Sequence, residues 1–202
     1  MALTPLSDRL FVSIAPPEPC REALSELMEP IEGVRWVRPE QLHLTLRFVG
    51  DVVEDQSQRL VTALQTVKVE PFLLPLEGVG MFPERGHPRV LWAGLGQAHT
   101  RLFQLRQRVD DALLAAGWTG ELRSFEPHIT VGRVTGGDRG ALAAWVHRHR
   151  AFEGPPFRVS SFELMASDLH SSGAVHRIHT AFPLGRETAL WREKSAGPHL
   201  KR

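Results

Sequence analysis

Two stretches decide the reading: Leu42-His43-Leu44-Thr45-Leu46-Arg47-Phe48 and Pro127-His128-Ile129-Thr130-Val131-Gly132-Arg133. In the first, Leu42, Leu44, Leu46 and Phe48 alternate with His43, Thr45 and Arg47, up to Gly50-Asp51. A period of two specifies a strand, here with one apolar face and one face carrying His, Thr and Arg. The second stretch again sets a His and a Thr two residues apart in an apolar run ending at Val134. Side chains at i and i+2 of a strand project from the same face, about 6 to 7 Å apart along the backbone. With ten histidines in the chain and threonine at about one residue in twenty, about half of one His-x-Thr is expected by chance, and about a tenth once apolar neighbours are required. Two in one chain are hard to dismiss.

Outward from these strands, the chain repeats its own order. Residues 10–15 form a compact apolar run closed by Pro16-Pro17, which suits a buried central strand. Residues 18–28 place Ala23, Leu24, Leu27 and Met28 at helical spacing until Pro30 and Gly33 stop the pattern. After the His43 strand, residues 55–67 read as a helix, and 72–82 as one or two strands with Pro75 at an edge or bulge. The second half offers a strand over 90–95, a helix over 100–116 ended by Gly117 as a C-cap, and the His128 strand. A helix over 139–149 and strands over 157–166 and 175–184 close the chain. From Phe11 to His43 is 32 positions, and from Val90 to His128 is 38. The halves, about 8–82 and 88–184, are expected to form one domain over 1–185. A pseudo-twofold between them would bring His43 and His128 together across a groove. Residues 186–202 lack periodicity and contain Gly197-Pro198, so a frayed tail is expected there.

The pattern has a chemical logic. Imidazole donates or accepts a proton near neutral pH, and a threonine hydroxyl offers one donor to a phosphoryl oxygen. Doubling the pair gives two proton-transfer groups and two phosphate ligands around one centre. Opening a cyclic phosphodiester needs this set: one group deprotonates water, the other protonates the departing ribose oxygen, and donors hold the charge on the non-bridging oxygens. No metal and no other cofactor is required. His87, His176 and His179 are not joined by nearby carboxylates in a recognisable metal-binding pattern.

Composition narrows the class further. The 202 residues, 42% of them apolar, suffice for a core without disulfides or metal. The single Cys20 excludes an internal disulfide and suits a reducing compartment. The first twenty residues lack the charged start and long apolar run of a signal peptide, and no window nears the ~20 apolar residues of a membrane span; a cytoplasmic protein is expected. A net charge of +1 is far from the excess of non-specific nucleic-acid binders, and favours a monomer that grips an RNA end.

These motifs resemble the two-histidine phosphoesterase superfamily, and within it the bacterial RNA 2′,3′-cyclic phosphodiesterases, also called 2′-5′ RNA ligases. The likeness runs from Arg9 to about Leu184, through Arg-Leu-Phe-Val-Ser-Ile-Ala, Leu-His-Leu-Thr-Leu-Arg-Phe-Val-Gly, Pro-Arg-Val-Leu-Trp-Ala-Gly and Pro-His-Ile-Thr-Val-Gly-Arg. The resemblance implies an α+β, bilobal fold of antiparallel sheets flanked by helices. It implies His43 as general acid, His128 as general base and a product carrying a 2′-phosphate. Phosphate contacts from Thr45, Thr130 and Arg133 are implied too, as is an RNA 3′ end bearing 2′,3′-cyclic phosphate, tRNA halves included, as partner. Arg133 lies five positions after His128, on the opposite face of an ideal strand, and reaches the phosphate only where Gly132 permits a bulge or the strand has ended. His176 stands where family members often have Tyr, and this chain has no Tyr.

Plainer readings stand beside these. A single strand histidine is more often bonded to backbone than catalytic, and Thr45 and Thr130 singly are equally good as β-formers. Arg47 shares the face of His43 and would either touch RNA phosphate or be solvated at the groove edge. Phe11, Trp36, Phe48 and Trp92 read as core rather than base-stacking residues. The run His147-Arg148-His149-Arg150 ends a helix, where cations face the dipole. Two other functions remain open: an RNA-end or nucleotide binding module with lapsed catalysis, and a phosphodiesterase of small cyclic nucleotides.

Overall fold

A computed structural model describes residues 7–97, 100–120, 124–170 and 173–185; the expected tail lies outside them. Strand β1 (Ser7–Ile14), helix α1 (Glu18–Ser25), strand β2 (Val34–Trp36) and strand β3 (Leu44–Val53) come first. Helix α2 (Glu54–Leu64), β4 (Phe72–Glu77) and β5 (Val79–Phe82) complete the first half. The second half holds β6 (Val90–Gly94), α3 (Thr100–Ala115), β7 (His128–Val134), α4 (Arg139–His149), β8 (Glu153–Val159), β9 (Ser161–His170) and β10 (Gly173–Pro183). Each predicted helix is present. Residues 72–82 divide into two strands, and Pro75 falls where the ladder of β4 with β8 skips a residue between Leu74 and Leu76, a bulge that needs no N–H from proline.

Eight strands make one sheet in the order β10-β9-β1-β3-β7-β6-β5, with β2 added against β7, and β4 pairs β8 in a second, two-stranded sheet. All ladders are antiparallel. The strands of the two halves alternate in a telling way. Each half closes on the other: β5 lies against β6, and β9 lies against β1. The two His-x-Thr strands, β3 and β7, meet at the middle of the sheet.

Burial explains why the chain settles here. Leu10, Val12 and Ile14 of β1, Leu44 and Leu46 of β3, Leu91 and Ala93 of β6, and Ile129 and Val131 of β7 form one core with Leu24, Leu60, Leu64, Leu105, Val109, Leu142 and Trp145 of the four helices. Each large side chain so buried contributes about 1.5–3 kcal/mol relative to exposure. Gly117 ends α3 with φ +85°, the left-handed cap that only glycine adopts without strain. Asp138 caps α4 by accepting from the Ala141 N–H at 3.0 Å, and Arg148 in its basic last turn pairs with Glu29.

Three expectations need correction, the first being Phe48, which was read as core but is 70% exposed. Residues 157–166 are not one strand, because the chain leaves the two-stranded sheet at Val159 and enters the large sheet at Ser161; an unbroken apolar run does not reveal such a change of sheet. Arg47 is not on the face of His43. Opposite β1, Val12 pairs Arg47 while Ser13 pairs Thr45, so Leu46 is an extra residue that reverses the alternation beyond it. Arg47 is 5% exposed, so where it borders the groove it is a buried, paired charge rather than a solvated one.

Among the described residues no helix is long and apolar enough to cross a membrane.

Candidate active site

The site grows from the one residue pair that joins β3 to β7, Leu44 opposite Ile129. The ladder holds no further pair, but an ideal continuation of this antiparallel register would set His43 opposite Thr130 and Thr45 opposite His128. Side chains of such directly opposed residues lie on one face about 4.5–5.5 Å apart at Cβ, and diagonal ones about 7–8 Å apart. In that continuation two histidines and two threonines stand at the corners of one quadrilateral, with the histidines on a diagonal, near enough for the charge of His128 to act on His43.

Both imidazoles are anchored alike. His43 Nδ1 lies 2.7 Å from the carbonyl oxygen of Gln41, and His128 Nδ1 lies 2.7 Å from that of Glu126. A carbonyl only accepts, so each Nδ1 carries the proton and each Nε2 is left for proton transfer. Gln41 ends a short 3₁₀ turn, Pro39–Gln41, directly ahead of β3. Burial brings the His43 imidazole down to about 4, with the charges of His176, Arg133 and His128 adding to it and the bond to Gln41 opposing. His43 is therefore neutral near pH 7 in the unliganded site.

Beyond the threonines both strands do the same thing. In β7, Leu91 pairs Gly132 while Trp92 pairs Thr130, so Val131 is the extra residue, as Leu46 is in β3. The matching bulges carry the fifth residue after each histidine onto the histidine face: Phe48, 70% exposed and 6.2 Å from Phe11 between ring centres, and Arg133. The bulge sits one residue before Gly132, and Arg133 lies close enough to lower the pKa of both His43 and His176. The fourth residues, Arg47 and Gly132, turn inward. Arg47 gives Nε and Nη2 to the two oxygens of Asp110, at 2.7 and 2.6 Å, and lies over the ring of Trp118 at 5.5 Å. Asp110 also pairs with Arg106. Gly132 leaves room for Trp36, whose ring would be 3.0 Å from an added Cβ.

Aromatic rings wall the site. Phe11 lies 4.9 Å from the His43 ring, and Phe82 stands edge-on to His128 at 5.0 Å. A groove of about 490 Å³ opens beside Thr45 and His128, lined further by Phe48, Trp118, Phe125 and Arg106. The resemblance marked His176 only as a departure from the family's Tyr, without showing what it touches. It meets His43 edge-on at 5.2 Å and Phe11 at 4.9 Å, from β10, three strands away from β3 in the sheet order. No local pattern could have signalled that. Among the described residues no cluster of three His, Cys, Asp or Glu converges as a metal site would.

A sequence profile described as "LigT like Phosphoesterase" matches residues 14–92 and again 95–176, one segment around each His-x-Thr. The chain belongs to the LigT-like phosphoesterases. An RNA 2′,3′-cyclic phosphodiesterase of Thermus thermophilus is 34% identical over 202 aligned residues, covering 94% of this chain and 96% of the relative. One of Archaeoglobus fulgidus is 33% identical over 172, covering 84% and 96%. Among solved structures, one from Thermus thermophilus superposes with a TM-score of 0.74 at 28% identity, covering 89% of this chain and all of that one. Apo LigT of E. coli gives 0.73 at 25%, covering 89% and 99%.

Proposed function

We propose that this LigT-like phosphoesterase is an RNA 2′,3′-cyclic phosphodiesterase that opens a terminal cyclic phosphate to a 2′-phosphate. The observation that carries the proposal is the pair of Nδ1-anchored histidines brought side by side by the Leu44–Ile129 pair of β3 and β7. Relatives bearing that activity by name, similar over nearly their whole length, supply the RNA substrate. The repeat is part of the proposal: halves 8–82 and 88–184 each contribute one His-x-Thr pair to a single active site.

In this reading the phosphoryl group sits among the four corners, its non-bridging oxygens taking hydrogen bonds from Thr45 and Thr130 and the charge of Arg133. His128 Nε2 accepts a proton from water as the water oxygen bonds to phosphorus. The bond from phosphorus to the ribose 3′ oxygen breaks, and His43 Nε2–H protonates that oxygen. The diester anion has a second task. His43 is neutral in the unliganded site, and a negative charge beside it raises its proton affinity, so substrate binding charges the acid that the reaction uses. A 5′-hydroxyl in place of water gives a 2′-5′ linkage through the same groups. RNA 3′ ends, tRNA halves among them, are the partners, met by a monomer in the cytoplasm.

The test is turnover, in EDTA, of an RNA oligomer ending in 2′,3′-cyclic phosphate, in competition with the corresponding mononucleoside cyclic phosphate. The reading expects hydrolysis that favours the oligomer. Preference for the mononucleotide would make the protein a small cyclic nucleotide phosphodiesterase, and tight binding without turnover would make it a binding module.

A further inference from the structure

His176 has no part in the reaction just described, yet it stands inside the site. Its ring is edge-on to His43 at 5.2 Å and to Phe11 at 4.9 Å. Its backbone is fixed by Gln41: the His176 N–H donates to Gln41 Oε1 at 2.7 Å, and Gln41 Nε2 donates to the His176 carbonyl at 3.3 Å. The Gln41 carbonyl meanwhile accepts from His43 Nδ1. One glutamine therefore sets the position of both imidazoles.

The two ring nitrogens of His176 differ. Nδ1 is enclosed and has no hydrogen-bond partner. Nε2 is not enclosed and bonds to none of the described residues. Burial, with Arg133 adding to it, holds this imidazole below the usual histidine range, so near pH 7 it is neutral and carries one N–H. A proton on Nδ1 would be an enclosed donor with no acceptor, whereas a proton on Nε2 would face the open side. The Nε2–H tautomer is the one this burial favours, with its donor on the open side of the ring.

The geometry points to His176 as a third imidazole in contact with substrate, donating Nε2–H to a non-bridging oxygen of the phosphoryl group on the His43 side. The inference rests on the reading of this site as a phosphoryl site. An anion is the ligand that fits because Arg133 acts on both His43 and His176, and His128 and His176 act on His43. Groups that oppose one another's charge are reconciled by a negative ligand among them. A neutral donor also bonds an ionised acceptor more strongly than an uncharged one.

The test uses the full chain, with inorganic phosphate as probe for binding and an RNA oligomer with a 2′,3′-cyclic phosphate for turnover. His176→Phe keeps a ring against His43 and Phe11 and removes the donor. His176→Gln keeps an N–H near the Nε2 position, and His176→Asn moves it to the Nδ1 position. The proposal expects phosphate Kd to rise about tenfold in the Phe and Asn variants and to stay within about threefold of wild type in the Gln variant. The same ranking should appear in KM, with kcat changed by less than about threefold. Phosphate affinity in the Phe variant equal to wild type, equal losses in the Gln and Asn variants, or no phosphate binding by wild type would each overturn it. Phosphate binding with the expected ranking, but no hydrolysis of the RNA by wild type, would remove the phosphodiesterase reading and leave His176 as a phosphoryl contact.

Discussion

His43→Asn keeps an N–H at the Nδ1 position for the Gln41 carbonyl and removes the group that titrates. In the folded chain burial, aided by neighbouring positive groups, holds His43 at about 4, whereas in the unfolded chain it takes the ordinary value of about 6.5. Between those values the unfolded state binds a proton that the folded state refuses, so stability falls as pH falls through the window. Taking the two values in the linkage relation, the wild type loses about 2 kcal/mol from this source between pH 7 and pH 5, and the variant loses nothing from it. Other titrating groups are common to both proteins and cancel in the difference. Urea unfolding of both proteins at pH 7, 6 and 5, with the His43 Cε1–H shift followed by NMR, measures the effect. The stability gap between wild type and variant should move by about 2 kcal/mol in the variant's favour, and saturating inorganic phosphate should reduce that movement by raising the proton affinity of His43. A gap that stays constant with pH, or a His43 resonance that titrates near 6.5, would refute the claim that this imidazole is neutral in the unliganded site.

Other consequences follow from the same geometry. Arg47→Met should destabilise the fold by about 1–3 kcal/mol, because it removes one of the two guanidinium partners of buried Asp110, while kcat/KM of the folded protein changes by less than about threefold; a stable variant with a large kinetic defect would return Arg47 to the substrate. Arg133→Ala should lower kcat/KM about 10- to 100-fold through a lost charged contact and should raise the His43 pKa by removing a repelling charge, both readable in one kinetic and NMR series. Gly132→Ala forces a Cβ to 3.0 Å from the Trp36 ring, and overpacking of this kind costs about 1–3 kcal/mol; thermal melts check it, and a variant as stable as wild type would contradict the packing described.

The sequence carried the long elements well because their periods are local. The alternation around His43 and His128 specified both central strands, and Gly117 marked the end of α3. The bulges were not legible. Leu46 and Val131 are ordinary strand residues, and nothing in their type shows that each is unopposed in its ladder. That single extra residue explains why Arg47 is buried against Asp110 while Arg133, placed on the wrong face by strict alternation, reaches the site. The division of residues 153–170 between two sheets was hidden for a similar reason, since an apolar run reads alike whichever sheet it joins. The resemblance marked the position of His176, but its contacts were not legible because its neighbours His43, Gln41 and Phe11 are more than a hundred positions away in sequence. Only the closure of β9 and β10 onto β1 brings them together.

In the proposed function His43 and His128 act as one acid-base pair on an RNA cyclic phosphate. The most direct measurement follows an RNA oligomer ending in 2′,3′-cyclic phosphate by ³¹P NMR in EDTA, with wild type, His43→Ala, His128→Ala and the double variant. The account predicts a single 2′-phosphate product for wild type, a loss of about 10²- to 10⁴-fold for each single variant, and a double variant little worse than either single one. A 3′-phosphate product, or a single variant as active as wild type, would contradict it.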